Sequence, residues 1–335
     1  MKKTLYFFNN GELVRQDNTI RFETNEGKRV LPIEDINDIY IFGEVNMTKK
    51  FLELMSQKEV CIHFYNYYGY YTGTFYPREH LNSGHVILKQ AETYLDDQRR
   101  LHLARKFVEG SIIQMTQVLK YYQSRVKQDR EQVKETIQSL QSIQERLKEW
   151  DTINDLMALE GNARESYYAM FDPILNFNPD FIFEKRSRRP PLNRLNAMIS
   201  FGNSICYTIV LSEIYKTYLD PRIGFLHATN FRRFSLNLDV AEIFKPLLVD
   251  RLIFTLINKR MLTKKDFDGH LEGIILSESG RRKFIQEFDQ RLKTTIQHRQ
   301  LGRAISYRRL IRLELYKVQK QILGEKEYQP YSSRW

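Results

Sequence analysis

Four side chains in the second half of the chain could do chemistry together. Glu160 lies in TINDLMALEGNARESYYAMF, and His227 ends DPRIGFLH. Asp239 and Glu242 lie three residues apart in RRFSLNLDVAEIFKPLLVDR. Carboxylates and imidazole suit a hard divalent cation such as Mg²⁺ or Mn²⁺. Other chemistries lack their residues. There is no G-x-x-x-x-G-K-[ST], G-x-S-x-G, H-E-x-x-H, C-x-x-C or G-x-G-x-x-G, so the P-loop, serine-hydrolase, zinc and dinucleotide patterns are missing.

Each candidate also has a plainer reading. Glu160 interrupts an apolar helical stripe of Ile153, Leu156, Met157, Tyr167 and Tyr168, so a buried carboxylate there needs a partner. That partner is either Arg164, one turn on, or a metal. A lone histidine beside apolar residues, as at His227, is commonly a satisfied core residue. On a helix over 236–251 the apolar stripe is Leu236, Val240, Ile243, Phe244 and Leu247. Asp239 then falls roughly 90° from its centre and Glu242 further round. This spacing places both acids on a face next to the buried one, where they could simply stabilise the helix N-terminus.

The elements that must position these residues divide into two regions. TLYFF, ELVRQ, TIRFET, KRVLPIE, DIYIFGEV, EVCIHFYN and YYTGTFYP read as strands. NNG and NEG are expected as hairpin turns, and a short helix is capped by Thr48. The tyrosines around 65–76 read as strand packing rather than a base-stacking platform. At PREHLNSGH the period changes from 2 to 3.6. The domain reading is a β domain over 1–77, a linker over 78–88, a helical domain over 89–324 and a loose tail over 325–335. Residues 86–122 form one long or two broken helices, and 123–148 form an exposed helical hairpin. Further helices are expected over 152–171, 191–218, 236–259, 263–269, 278–298 and 303–323. The fold class is α+β: a small β-sandwich-like domain followed by a larger all-α-helical one.

The chain carries 52 basic and 41 acidic residues, a formal net charge of +11. That excess favours a polyanionic partner, most often nucleic acid. One basic run, Lys185, Arg186, Arg188 and Arg189, precedes Pro190-Pro191, which at a first helical turn would give it a stiff mount. Arg232 and Arg233 form a second. The two cysteines, Cys61 and Cys206, sit in apolar segments, and no apolar run has signal-peptide or membrane-spanning length. The expectation is a cytoplasmic protein with no membrane partner.

LEGNAR, RRPPLNRLNAMISFGNSICY, DPRIGFLH and RRFSLNLDVAEIFKPLLVDR stand in this order. With FGEVNMTKKFLELM and TFYPREHLNSGHVILKQAE before them, they resemble the CRISPR-associated adaptation integrase and endonuclease family, Cas1, nearest its type I branch. The resemblance spans essentially the whole chain. It implies a β-sandwich-like domain serving dimerisation, a helical catalytic domain, and a homodimer with one Mn²⁺ or Mg²⁺ site per subunit. It implies Glu160, His227 and Glu242 as catalytic metal ligands, with Asp239, Lys245 and Asn162 in support. Some members of the family carry Asp at the third ligand position. The implied reaction is CRISPR adaptation, or spacer acquisition. The 3′-OH ends of a captured DNA duplex are joined to the CRISPR repeat by transesterification, with nuclease activity at the same site. Lys185, Arg186, Arg188, Arg189, Arg232 and Arg233 become candidates to hold double-stranded DNA. The implied protein partner is a small ferredoxin-like CRISPR adaptation protein. A different class of reading is a non-catalytic duplex-DNA-binding architectural protein whose acids only pair with arginines.

Overall fold

Alternating apolar residues in short segments build the first unit, Met1–Asn82. In chain order it holds β1 (Lys3–Phe7), β2 (Gly11–Gln16), β3 (Thr19–Thr24), β4 (Gly27–Pro32), β5 (Ile36–Ile41), β6 (Val45–Met47), α1 (Lys49–Gln57), β7 (Cys61–Tyr65) and β8 (Tyr71–Phe75). The computed structural model describes residues 2–78, 81–227, 234–270, 273–298 and 301–333.

The strands form two four-stranded sheets, in the orders β1-β5-β7-β8 and β4-β3-β2-β6. Leu13, Ile20, Ile39, Ile62, Phe51 and Leu54 from both sheets and α1 share one core. Thr48 caps α1, its hydroxyl accepting from Phe51 N at 3.3 Å. Asn25-Glu26-Gly27 turns the β3–β4 hairpin as read. Asn9-Asn10-Gly11 does not make a hairpin. β1 pairs in parallel with β5, and β2 pairs with β3 and β6, so this turn carries the chain between sheets. The neighbouring hairpin turn is at Asp17-Asn18, where Asp17 takes φ 52°. Among the tyrosines, Tyr65 is buried against Tyr40 and Phe42, whereas Tyr67 is exposed.

The second unit, Ser83–Trp335, begins inside the expected linker. It holds α2 (Gly84–Leu95), α3 (Asp97–Gln123), α4 (Arg130–Glu145), α5 (Ile153–Ala169), α6 (Phe171–Ile174), α7 (Arg194–Ile214), α8 (Leu236–Lys245) and α9 (Arg251–Asn258). Then come β9 (Phe267–His270), β10 (Gly273–Leu276), α10 (Glu278–Lys293), β11 (Thr295–His298), β12 (Arg303–Ser306) and α11 (Tyr307–Ile322). Asp96 breaks the first long helix, its carboxylate capping α3 through the backbone N–H of Gln98 and Arg99. Residues 123–148, read as an exposed helical hairpin, hold instead the one helix α4 and a short turn after it; α4 packs on α3 and buries Val133, Ile137 and Leu140.

Three expectations change. The helical domain is not all-α: β9–β10 and β11–β12 form two antiparallel ribbons where helix was read over 263–269 and at the adjoining ends of 278–298 and 303–323. Ile274, Ile275 and Ile296, Ile305 are β-branched and suit strands. α7 starts at Arg194, not 191, because Asn193 caps it through Asn196 N at 2.8 Å. The tail is not loose. Tyr328 is fully buried and donates to Glu314 Oε1 at 2.6 Å, and Ser333 donates to Gln114 Oε1 at 2.6 Å. α7 is long and apolar enough to cross a membrane, but 78% of its apolar window is buried inside the unit, as in the core helix of a globular domain.

Candidate active site

α8 is buried on nearly every side, between α3 and α7. Asp239 has no exposed surface and Glu242 only 4%. This corrects the expectation that both acids lie off the buried face: α8 is enclosed all round, so even its polar side is covered. Neither acid merely serves the helix terminus.

The loop before α8 is tied down tightly. Gln90 of α2 donates to the carbonyls of Asp220 and Ile223 and accepts from Asp220 N. Ser235 accepts from Gly224 N and donates to Arg222 O. A Cβ at Gly224 would lie 2.8 Å from Ser235 carbonyl carbon and 2.9 Å from Asp239 Oδ2, so this close approach requires glycine. The result presents Asp239 with four donors: the backbone N–H of Phe225 (2.6 Å), Leu226 (3.1 Å) and His227 (2.9 Å), and His227 Nδ1 at 2.8 Å. His227 is partly exposed, at 28% of its side chain. With Nδ1 held by a carboxylate, Nε2 is the nitrogen left for a ligand.

Arg164 joins the remaining acids. Its Nε donates to Glu160 Oε1 at 2.6 Å, and one terminal nitrogen reaches both Glu242 Oε2 at 2.5 Å and Ser111 Oγ of α3 at 2.8 Å. Lys245 pairs with the other oxygen of Glu242 and lies 4.6 Å from the Tyr207 ring centroid. Arg164 thus cross-links α3, α5 and α8. Burial disfavours ionisation of Glu242, but Arg164, Lys245 and His227 outweigh it and hold the carboxyl down at about 2. Burial likewise disfavours the imidazolium of His227, while the hydrogen bond and charge of Asp239 raise its pKa above the ordinary value. Asp250, fully buried two turns beyond Glu242, is pushed up by burial to about 7.

The donor set is that of a hard divalent cation: two carboxylates and an imidazole whose second nitrogen is fixed. Among the described residues, however, no three histidine, cysteine or acidic side chains are gathered closely enough to hold a metal ion. Two protein cations account for this, since Arg164 and Lys245 hold the carboxylates that a metal would need. The side chains fit the ion by chemistry, and a metal must compete with Arg164 for them.

Of the other residues read from the sequence, Asn162 is exposed and takes part in none of the described hydrogen bonds of the cluster. Lys185, Arg188 and Arg189 are exposed on one loop. Asn196 of α7 pins that loop, donating to Lys185 O and accepting from Ser187 N and Arg186. Arg186 itself turns inward, to Asn196 Oδ1 at 2.9 Å and Ser200 Oγ at 3.0 Å, so its guanidinium holds the loop. Pro190-Pro191 is mounted on β10 rather than on a helix. Ile274 N donates to Pro191 O at 2.8 Å, and a Cβ at Gly273 would come within 2.5 Å of Pro190 Cβ. Arg232 and Arg233 lie outside the described residues. Ser111 and Asp250 carried no signal in the sequence. Arg164 did, through its i+4 spacing from Glu160, but its reach to Glu242 did not.

Fold and cluster together define a class: a β-rich unit joined to a helical unit that carries a buried cluster of the carboxylate–imidazole composition suited to phosphoryl chemistry. The family model for CRISPR associated protein Cas1 matches residues 5–290. The chain is 56% identical over 335 residues to a CRISPR-associated endonuclease Cas1 of Thermodesulfovibrio yellowstonii, covering all of both chains. It superposes with a TM-score of 0.88 on a Cas1 protein from Thermotoga maritima, at 46% identity over 98% of this chain and 99% of that one. A casposase bound to integration product shares the fold, with a TM-score of 0.85 at 22% identity over 99% and 94% of the two chains. The chain belongs to the Cas1 family of CRISPR-associated proteins.

Proposed function

We propose that this chain is the integrase and endonuclease of CRISPR adaptation, dependent on Mn²⁺ or Mg²⁺. It joins the 3′-OH ends of short captured DNA duplexes to the CRISPR repeat by transesterification. It acts as a homodimer with a small ferredoxin-like adaptation partner. Full-length similarity to relatives named as Cas1 endonucleases supports the reading. The observation that carries it is that Glu160 and Glu242, from distant helices, meet on one guanidinium, with His227 acting electrostatically on Glu242.

Glu160, Glu242 and His227 Nε2 would hold the ion. When bound, it supplies charge neutralisation and Lewis acidity at the scissile phosphate. The chain's own groups do the rest. Asp239 fixes His227 in orientation. Lys185, Arg188 and Arg189 offer cations to phosphates. In the reaction the 3′-oxygen bonds to phosphorus, the repeat strand's P–O bond breaks, and the proton lost by the attacking hydroxyl is matched by one gained by the leaving oxygen. No protein nucleophile enters.

A second reading has a specific observation in its favour, because Arg164 and Lys245 satisfy both glutamates without a metal. It makes the protein an architectural DNA binder. Strand transfer into a repeat-containing plasmid with Mn²⁺ or Mg²⁺ separates the two. His227→Ala is expected to abolish transfer while duplex binding persists. Transfer at the wild-type rate in that variant, or equal transfer in EDTA, sinks the catalytic reading.

A further inference from the structure

Arg164 has one nitrogen to spare. Its Nε and one terminal nitrogen are committed to Glu160, Glu242 and Ser111, but the other terminal nitrogen is buried with no hydrogen-bond partner. Beside it lies a second anomaly. Asp250 is fully buried at the end of the π-helical turn Pro246–Asp250 that follows α8; the Tyr167 hydroxyl is its hydrogen-bonding neighbour, and among the described residues no cation pairs with either of its oxygens. Tyr167 and Tyr168, three and four residues from Arg164 on the same face of α5, are also buried, the Tyr168 hydroxyl without a partner. Asp250 acts electrostatically on Arg164 and on both tyrosines. A buried carboxylate without a counter-ion is costly, and one placed near a guanidinium nitrogen that has no acceptor points to a second arrangement in which the two meet.

Charge bookkeeping says when. Glu160 and Glu242 carry two negative charges, balanced by Arg164 and Lys245. If a divalent cation takes the glutamates, both protein cations lose their counter-ions in a buried setting. Asp250 is the third carboxylate acting on Arg164. Resting on the metal-binding reading above, we propose that Asp250 is the alternate acceptor for Arg164: when Glu160 and Glu242 take a divalent cation, the guanidinium turns from them to Asp250. Arg164 is then the place-holder that keeps the two glutamates together and, with Lys245, balances their charge before the ion arrives, and Asp250 is the positioning residue that lets it leave. The Tyr167 hydroxyl, next to the same carboxylate, is placed to donate to it in either arrangement.

The test needs no catalysis. The full chain, stripped of metal, is titrated with Mn²⁺ and the electron paramagnetic resonance signal of the free ion is read. Asp250→Asn is expected to raise the Mn²⁺ Kd about tenfold or more, the range seen when a group that holds the surroundings of a metal ligand is lost. Arg164→Gln removes the group that Asp250 receives, so adding Asp250→Asn in that background is expected to change Kd less than twofold. Asp250→Ser serves if the Asn variant fails to fold, as checked by thermal melting without metal. A wild-type Kd in Asp250→Asn overturns the proposal, as does an equal loss with and without Arg164. If the wild-type chain binds no Mn²⁺ at millimolar concentration, the metal-binding reading itself fails and takes this proposal with it.

Discussion

Asp239 commits a fully buried carboxylate to three backbone N–H groups and one imidazole nitrogen. Oδ2 holds the chain at Phe225 and Leu226, and Oδ1 holds His227 by both its backbone and its ring. The same side chain therefore builds the loop and aims the histidine. An amide at this position keeps one acceptor and turns an NH₂ toward groups that themselves donate. Asp239→Asn is expected to lower strand transfer about 10- to 100-fold, as for groups that orient a ligating histidine. It should also cost about 2–3 kcal/mol of stability through the lost charge-assisted hydrogen bonds. Parallel measurement of transfer rate and thermal denaturation checks both. Unchanged transfer in a folded variant removes Asp239 from the site.

Helices α7 and α11 meet through one carboxylate. Glu213 has no exposed surface and takes Arg308 Nε at 2.8 Å, Arg312 Nε at 2.7 Å and Lys216 Nζ at 3.1 Å. Burial opposes its ionisation, but the three cations win and hold its carboxyl well below the ordinary range. The folded pKa is depressed, so the unfolded chain binds more protons in acid, and the stabilisation present above the unfolded value near 4.5 is lost as pH falls below it. Glu213→Gln leaves two partly buried arginines without their anion and is expected to cost about 3–5 kcal/mol at pH 7. Denaturant melts at pH 7 and pH 3 should show the gap between variant and wild type narrowing in acid; a gap independent of pH contradicts the assignment. This clamp was invisible in the sequence because its four residues span nearly a hundred positions and only folding brings them together. The same limit explains what else could and could not be read. The strands of the first unit and the Thr48 cap are local patterns, and they were legible; whether one helix or two follows residue 86 stayed open in the sequence, and the Asp96 cap decides it. The exposure of Asp239 and Glu242 was misjudged because periodicity finds an apolar stripe but cannot see a helix enclosed on its polar side. Asn9-Asn10-Gly11 has hairpin chemistry but joins two sheets, since parallel pairing of β1 with β5 is decided far along the chain. Glu160, His227 and Glu242 stood out by residue type and spacing and took their expected ligand roles from the resemblance, whereas Asp250 looked like any other helical acid.

At the scale of the molecule, the net charge of +11 asks where an anionic polymer would lie, and burial answers in part. Many arginines are already engaged inside the second unit: Arg164 with Glu160 and Glu242, Arg308 and Arg312 with Glu213, and Arg186 with Asn196 and Ser200. These contribute to net charge while paired inside the unit. Lys185, Arg188 and Arg189 are exposed on a loop fixed by Asn196 and by Pro191 on β10, so its backbone has little ordering left to do on binding. Each phosphate contact releases condensed counter-ions, which steepens the fall of affinity with salt by about 0.9 per contact in log–log terms. The triple change of Lys185, Arg188 and Arg189 to Ala is therefore expected to weaken duplex binding about equally across sequences, and to reduce the salt slope by about 2–3. Arg186→Ala should instead lower the melting temperature, because it removes a support of the loop rather than a phosphate contact. Fluorescence-anisotropy titrations from about 50 to 200 mM salt, run beside thermal melts, tell these apart. A triple variant whose salt slope equals that of the wild type would place the DNA track elsewhere on the surface.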